Sequence, residues 1–197
     1  HLSIGEYPMR LDAGAGRTQN CSLAATPYRM ELMALDVADA VRHAGGWMFD
    51  RVTLGWAVIV MLPECHDPRP LRILGVQFIR HQDALAIDEA GTASVIATRF
   101  DLHLQDERIR RRVDDALERG HTDVVAWEGD GNQAGPEPKA RTLQHQLSAA
   151  ARAFKAQALI ALGVEAAVGP VEFFESFAAT SLSSPIGLVP DAPAGSA

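Results

Sequence analysis

A repeated order of helix, glycine and short apolar strand constrains the fold of this chain more than any other feature. The three predicted helices cover residues 34–54, 106–119 and 140–162. Each carries apolar residues at spacings of three and four, which place them on one helical face. Gly55, Gly120 and Gly163 follow these helices and predict their ends, because glycine adopts positive φ without strain. Helices that alternate with strands in this way are typical of α/β proteins.

Apolar runs follow the glycines. Residues 56–62 are apolar at every position, which predicts a central strand that is buried on both faces. Residues 123–127 and the weaker run 164–168 are predicted as two further strands. Residues 170–180 are predicted as a last helix, with Pro170 at its first position.

Between the first strand and the second helix the chain is rich in β-forming residues, at 71–79 and 93–98. The links between neighbouring strands here are short, which favours antiparallel pairing. The sequence therefore predicts an α/β fold: a single layered domain with a mixed sheet. The sheet would combine an antiparallel meander over about 56–100 with helix-linked strands, packed with three or four helices.

The length of 197 residues predicts one domain. We expect an irregular N-terminal arm over 1–27, a single α/β domain over 28–180 and a flexible C-terminal tail over 181–197. On this expectation, cutting the chain after Ser184 leaves the melting temperature almost unchanged.

Composition excludes several classes of protein. The formal net charge of −7 argues against general nucleic-acid binding and against binding to anionic membranes. No apolar run is long enough for a membrane span. Two cysteines exclude a disulfide-rich scaffold and a four-cysteine zinc site. We expect Cys21 and Cys65 to be free thiols and the protein to be cytoplasmic.

The choice of basic residues indicates a codon bias. Only Lys139 and Lys155 are lysines, the other basic residues being arginines, and alanine is abundant. This is typical of a high-GC bacterium. The chain begins at His1 rather than Met, so it is also expected to be processed or part of a larger protein.

The first candidate site is the run of Glu64, Cys65, His66 and Asp67 just beyond the first predicted strand. Ligands of α/β sheets bind beyond the carboxyl ends of strands, and a thiol with an imidazole can provide a nucleophile and a base. Prolines flank the run, so a structural loop over 64–70 is the alternative. Because acidic neighbours raise the pKa of a thiol, His66 as base is preferred to Cys65 as nucleophile.

The second candidate site is the glycine-rich loop 128–135, which follows the second strand. Its acidic residues would repel a pyrophosphate, and Pro136 interrupts the join to a helix, so a dinucleotide site is not favoured. Glu128 and Asp130 could instead hold a hard cation, although the spacing departs from a calcium loop. A solvated loop is the plain alternative.

An arginine-rich face on the second predicted helix is the third candidate. It contains Arg108, Arg111 and Arg112, and pairs such as Glu107 with Arg111 indicate a solvated charged surface. An anionic partner could use the same face.

Two interpretations of function follow. The main one is a non-catalytic binding or regulatory domain with a protein or small-molecule ligand, because no established catalytic motif occurs. The alternative is a small hydrolase or transferase whose site lies at the carboxyl ends of the strands, where loops 64–70 and 128–135 would converge. The sequence leaves the cofactor and the oligomeric state open.

Overall fold

A mixed sheet organises the residues that the computed structural model describes, which are 28–83, 93–129, 141–177 and 186–191. Its strands are β1 (Arg29–Met33), β2 (Ala57–Leu62), β3 (Gln77–Arg80), β4 (Val95–Arg99), β5 (Asp123–Trp127), β6 (Thr142–Gln146), β7 (Val171–Ser176) and β8 (Val189–Pro190). The helices are α1 (Val37–Thr53), α2 (Arg69–Ile73), α3 (Phe100–Gln105), α4 (Glu107–Arg119) and α5 (Ala149–Ala161). The predicted α/β class and mixed sheet are confirmed.

The strand order is β3-β2-β1-β4-β5-β7-β6-β8. The first five strands are parallel, and the last three add antiparallel pairs. The antiparallel meander predicted over about 56–100 is therefore wrong. The physical reason is α2, which carries the chain back across the sheet between β2 and β3, as parallel neighbours require.

The apolar residues that suggested a strand over 71–79 belong to two elements. Leu71 and Leu74 are buried three residues apart, as on one helical face, and Gly75 has a φ of 72°. Strand β3 begins only after this turn. A run of apolar residues without clear period does not separate a short buried helix from a strand.

Two of the three main helices are confirmed over nearly their full predicted lengths. α1 begins at the N-cap Asp36, whose carboxylate accepts from the Asp39 amide, and α4 ends at Gly120, which has a φ of 68°. The third helix is shorter than predicted: residues 142–146 form β6, and α5 begins after the N-cap Ser148. In β6 the buried residues Leu143 and His145 alternate with more exposed ones. Because His145 is polar, the sequence does not show an alternation of apolar residues here.

The last helix, predicted over 170–180, is also wrong, because residues 171–176 form β7. Its inward positions include Glu172, a charged residue that is only 5% exposed. This burial is tolerated because Glu172 accepts hydrogen bonds from the Gly46 and Trp47 amides and from Lys155 Nζ. Residues 164–168, predicted as a strand, form none.

Two apolar layers cover the sheet. The larger lies between the sheet and α1, α2 and α5, and contains Trp47, Val60 and Val125, each fully buried. The smaller lies on the opposite face against α4. In the part of the chain that is described, no helix is both long and apolar enough to cross a membrane.

The central strand β1 places a charged residue inside the smaller layer. Glu31 is fully buried, and its carboxylate oxygens lie 2.8 Å from the Arg29 guanidinium and 2.6 Å from that of Arg112. Arg112 therefore lies against the sheet and differs from the solvated face predicted for α4. The charges at Arg29 and Glu31 also explain why no strand was predicted here.

The described part of the C-terminal segment packs on the domain, which differs from the flexible tail predicted over 181–197. Ile186 is fully buried, and its carbonyl accepts a hydrogen bond of 2.8 Å from the Trp47 indole. Leu188 is 8% exposed, and β8 pairs with β6. The division into an arm, a domain and a tail otherwise stays a prediction.

Ending the chain at residue 184 should lower the melting temperature, contrary to the expectation from sequence. Burial of an Ile or Leu side chain contributes about 1.5–3 kcal/mol, and this truncation removes two of them. Differential scanning calorimetry of this form and of a control that ends at residue 191 measures the effect. Equal melting temperatures for the two truncated forms would show that the segment adds no stability.

Candidate active site

The carboxyl ends of the parallel strands form the edge where ligands bind in α/β sheets. The chain leaves β1 toward β2 on one side, and leaves β4 toward β5 on the other. β1 and β4 are neighbours, so the strand order reverses between them. The crevice at such a reversal is the preferred ligand site of this architecture. Asp39, in the first turn of α1, and Arg99, at the end of β4, lie at this point.

The Asp39 carboxylate is the centre of the polar contacts at this edge. It is 5% exposed, and its Oδ2 accepts a hydrogen bond of 3.1 Å from the Leu35 amide. Its Oδ1 accepts from the Trp127 indole at 3.3 Å and from the Arg99 guanidinium at 3.4 Å. These three donors, from separate parts of the chain, hold the carboxylate in one orientation.

His43 lies one helical turn beyond Asp39. Its Nε2 is 3.7 Å from Asp39 Oδ1, and its side chain is 23% exposed. The ring is nearly parallel to that of Trp127, with the centroids 6.4 Å apart and the planes 15° apart. An imidazole that lies near a buried carboxylate and is partly open to solvent can act as a general base.

A cavity of about 410 Å³ adjoins His43. β5 and β7 are paired at Val125–Ser176 and Ala126–Glu175. Residues of both strands line the cavity, from this last pair toward the carboxyl end of β5 and the start of β7. Its polar and charged lining residues are Arg42, His43, Glu128, Lys155, Glu172 and Glu175. Apolar side chains, among them Trp127, Leu159 and the half-exposed Phe173, complete the wall. The cavity therefore offers an apolar surface beside a base and several charges.

A buried ion pair supports the part of α1 that bears His43. Lys155 Nζ lies 2.7 Å from Glu172 Oε1 and also donates to the carbonyl of Arg42. Glu172 accepts from two amides of the same helix, those of Gly46 and Trp47. Gly46 lets Leu147 pack closely against this part of α1, because a Cβ there would lie 2.3 Å from the Leu147 side chain; it would lie 3.2 Å from Glu172 Oε1.

Two carboxylates share the outer part of the cavity. Burial raises the pKa of Glu175 above its ordinary value of 4.5, a hydrogen bond from Thr142 lowers it, and the charge of Glu128 raises it again. The net direction is upward. A carboxyl group of raised pKa that lines the same cavity as a base is a candidate proton donor.

Glu175→Gln should stabilise the protein more at neutral pH than at acid pH. A carboxyl group with a raised pKa in the folded state contributes stability below its ordinary pKa, and this contribution is lost as the pH rises through the raised value. Glutamine imitates the protonated form throughout. The difference in melting temperature between variant and wild type should therefore grow from about pH 4 to about pH 7.5. Glu118→Gln, on the exposed surface of α4, is the control, and a difference that shrinks with rising pH would contradict the expectation.

The structure places the residues predicted from sequence at two separate points. Cys65 and His66 follow β2, whereas Glu128 follows β5, and the strands β1 and β4 lie between them. Glu128 lines the cavity, but Cys65 and His66 do not. Asp130 lies outside the described residues. The catalytic and metal-binding roles predicted for these four residues stay predictions.

The surroundings of the predicted base and nucleophile favour neither role. The His66 side chain is 88% exposed and lies 3.5 Å from Glu64. Burial raises the pKa of the Cys65 thiol, and the charge of Asp67 adds to this, although a backbone hydrogen bond from Asp67 lowers it. A thiol of raised pKa is largely protonated at neutral pH and is a poor nucleophile. Among the described residues, no three His, Cys, Asp or Glu side chains come together as metal ligands.

Sequence reasoning missed Asp39, His43 and Arg99. A signal was present: Asp39 and His43 are spaced i, i+4 at the start of a helix that follows a strand, which places them on one face at the carboxyl edge. The strand before them, β1, was not predicted, so this position could not be assigned.

Comparison with known proteins finds no family model and no curated protein that matches the sequence. Solved structures do match. A deacetylase of the teicoplanin biosynthesis pathway has a TM-score of 0.56 at 12% identity, covering 83% of this chain and 98% of that one. The pseudoaglycone deacetylase of the antimicrobial A40926 has a TM-score of 0.50 at 14% identity, covering 75% of this chain and 96% of that one. The 4-carboxy-2-hydroxymuconate hydratase of Pseudomonas putida gives 0.52 at 12% identity, covering 80% and 99%.

These likenesses show the fold of the chain, and they correct the main interpretation of its function. The solved structures with this fold that are named above are enzymes, which contradicts a non-catalytic binding or regulatory domain. The alternative, a small enzyme with its site at the carboxyl ends of the strands, agrees better with these structures.

Proposed function

We propose that this chain is a hydrolase that removes an acyl group from a small-molecule substrate. The observation that carries the proposal is His43, which lies on the wall of a cavity at the carboxyl edge of the sheet with the buried Asp39 carboxylate 3.7 Å from its Nε2. An imidazole in this setting can take a proton from water, and the water oxygen can then attack the carbonyl carbon of a substrate in the cavity.

The charges around the cavity fit the later steps of such a reaction. Attack places a negative charge on the carbonyl oxygen, and Arg42, which lines the cavity, supplies positive charge near it. The bond between the carbonyl carbon and the leaving nitrogen or oxygen then breaks. The leaving atom takes the proton that His43 removed from water, so the products are a carboxylic acid and an amine or alcohol. Asp39 stabilises the imidazolium between these two proton transfers.

The solved structures of this fold support a reaction that consumes water. Two are named as deacetylases and one as a hydratase, and both names describe addition of water to a carbon centre. Acyl hydrolysis is preferred here because two of these three enzymes are deacetylases. We also propose a cytoplasmic setting, supported by the free Cys65 thiol.

Acetate release from simple acyl compounds tests the proposal. Purified protein is incubated separately with p-nitroacetanilide, N-acetylglucosamine and p-nitrophenyl acetate, and acetate is measured against buffer and against His43→Gln. The expected result is release by wild type that exceeds both comparisons for at least one compound. Release that is the same in wild type and His43→Gln for every compound would contradict the proposal.

A further inference from the structure

Arg99 brings a positive charge to the carboxylate of the His43–Asp39 pair. The guanidinium and the His43 ring approach the same oxygen, Asp39 Oδ1, at 3.4 Å and 3.7 Å. Arg99 Nε also donates a hydrogen bond of 2.6 Å to Asp101 Oδ1, so the guanidinium is held between the carboxylates of Asp39 and Asp101. A cation that shares the oxygen with the imidazole weakens the attraction between that oxygen and a protonated His43.

Gly129 provides the space for this arginine. A Cβ at Gly129 would lie 2.2 Å from Arg99 Nη2 and 2.3 Å from its Cζ, distances that no real contact has. Gly129 is not among the glycines with positive φ, so alanine can adopt its backbone conformation. A side chain at this position would therefore act on Arg99 rather than on the backbone. Gly129 belongs to the glycine-rich loop 128–135 that was compared with a dinucleotide-binding sequence. In the structure it leaves space for the Arg99 guanidinium.

We propose that Arg99, whose guanidinium packs against Gly129, is a positioning residue. It sets the basicity of His43, because both side chains contact Asp39 Oδ1. The proposal rests on the proposed function for its catalytic meaning, but the coupling itself needs no substrate. With Arg99 in place, Asp39 orients the imidazole without holding its proton too strongly. A base of this kind is deprotonated over more of the neutral pH range, which general-base catalysis requires.

The other titratable and charged groups near His43 are not substituted in the experiment described below. They are Asp39 on α1, which contacts the ring, and the charged residues of the cavity wall: Arg42 on α1, Glu128 just after β5, Lys155 on α5, and Glu172 and Glu175 on β7. Removing the Arg99 charge frees Asp39 Oδ1 for the imidazolium and takes away a repelling cation. Both effects favour the protonated ring, so they act in the same direction.

NMR titration of the His43 ring is the primary measurement, in wild type, Arg99→Met, Arg99→Lys and Gly129→Ala. We expect the midpoint to rise by about 0.5–1 pH unit in Arg99→Met, the effect of one charge at this range in a partly solvated site. Gly129→Ala should raise it in the same direction, and Arg99→Lys should restore most of the wild-type value. Arg119→Met, on the exposed surface of α4, is the control and should leave the midpoint unchanged.

A second measurement links the coupling to catalysis. With whichever acyl compound is hydrolysed, the acid limb of the pH profile of kcat/KM should move to higher pH in Arg99→Met by the same amount as the midpoint. Wild-type midpoints in both Arg99→Met and Gly129→Ala would overturn the proposal. If the midpoint moves while acetate release is insensitive to His43, the proposed function fails and the coupling stands. If Arg99→Met does not fold, Gly129→Ala decides: a raised midpoint supports the proposal, and a wild-type midpoint overturns it.

Discussion

Replacing His43 with glutamine should lower kcat/KM for acyl hydrolysis by about 10²- to 10⁴-fold, the usual contribution of a general base. Glutamine preserves the approximate size and a hydrogen-bonding group but cannot take a proton from water at neutral pH. Because His43 is partly exposed and lies on the cavity wall, the folded structure should survive the change. Steady-state kinetics with the best acyl compound measures the loss.

Two other histidines make this prediction specific. His121→Gln alters an exposed residue before β5 and should leave kcat/KM unchanged. His66→Gln tests the base that was predicted from sequence, and on the present assignment it should also have little effect. A large loss in His66→Gln together with full activity in His43→Gln would move the site to the end of β2.

The second large effect concerns stability. Glu31→Gln should lower the free energy of unfolding by about 3–5 kcal/mol, the cost of removing one partner from a buried ion pair. The carboxylate is fully buried between the guanidinium groups of Arg29 and Arg112, and glutamine leaves the two positive charges facing each other without it. Urea unfolding, followed by circular dichroism, gives the value.

An exposed ion pair provides the control. Glu107 pairs with Arg111 on the solvent side of α4, and both side chains are more than half exposed. Glu107→Gln should therefore cost at most about 1 kcal/mol. Equal losses in the two variants would show that burial of Glu31 adds nothing to the strength of its pairing.

The fold could be predicted from sequence where apolar periodicity and glycines agreed. Val60 and Val125 lie in the predicted strands 56–62 and 123–127 and are fully buried, and α1 and α4 end within two residues of the predicted glycines Gly55 and Gly120. Prediction was wrong where buried polar residues broke the apolar pattern. Glu172 is such a residue, since it is paired with Lys155 on the preceding helix α5, and the pattern of residues within the strand does not reveal a partner on another element.

The candidate site was harder to predict because it depends on strand order. Asp39, Arg99 and Trp127 are far apart in sequence, and they meet only because β1, β4 and β5 are consecutive in the sheet. Of the residues proposed from sequence, Glu128 lines this cavity, because it directly follows the correctly predicted strand β5. Cys65 and His66 were proposed because a thiol next to an imidazole suggests a nucleophile and a base. Residues that are adjacent in sequence can suggest such chemistry although neither of them lines the cavity.

The fate of solvent oxygen tests the central claim most directly. Wild-type protein and His43→Gln are incubated with the best acyl compound in water enriched in ¹⁸O, and the released acetate is analysed by mass spectrometry. If His43 activates water for attack on the carbonyl carbon, acetate from wild type carries one solvent oxygen, and labelled acetate is nearly absent with His43→Gln. Acyl transfer to another acceptor without labelled acetate, or equal labelled release by both proteins, would contradict the account.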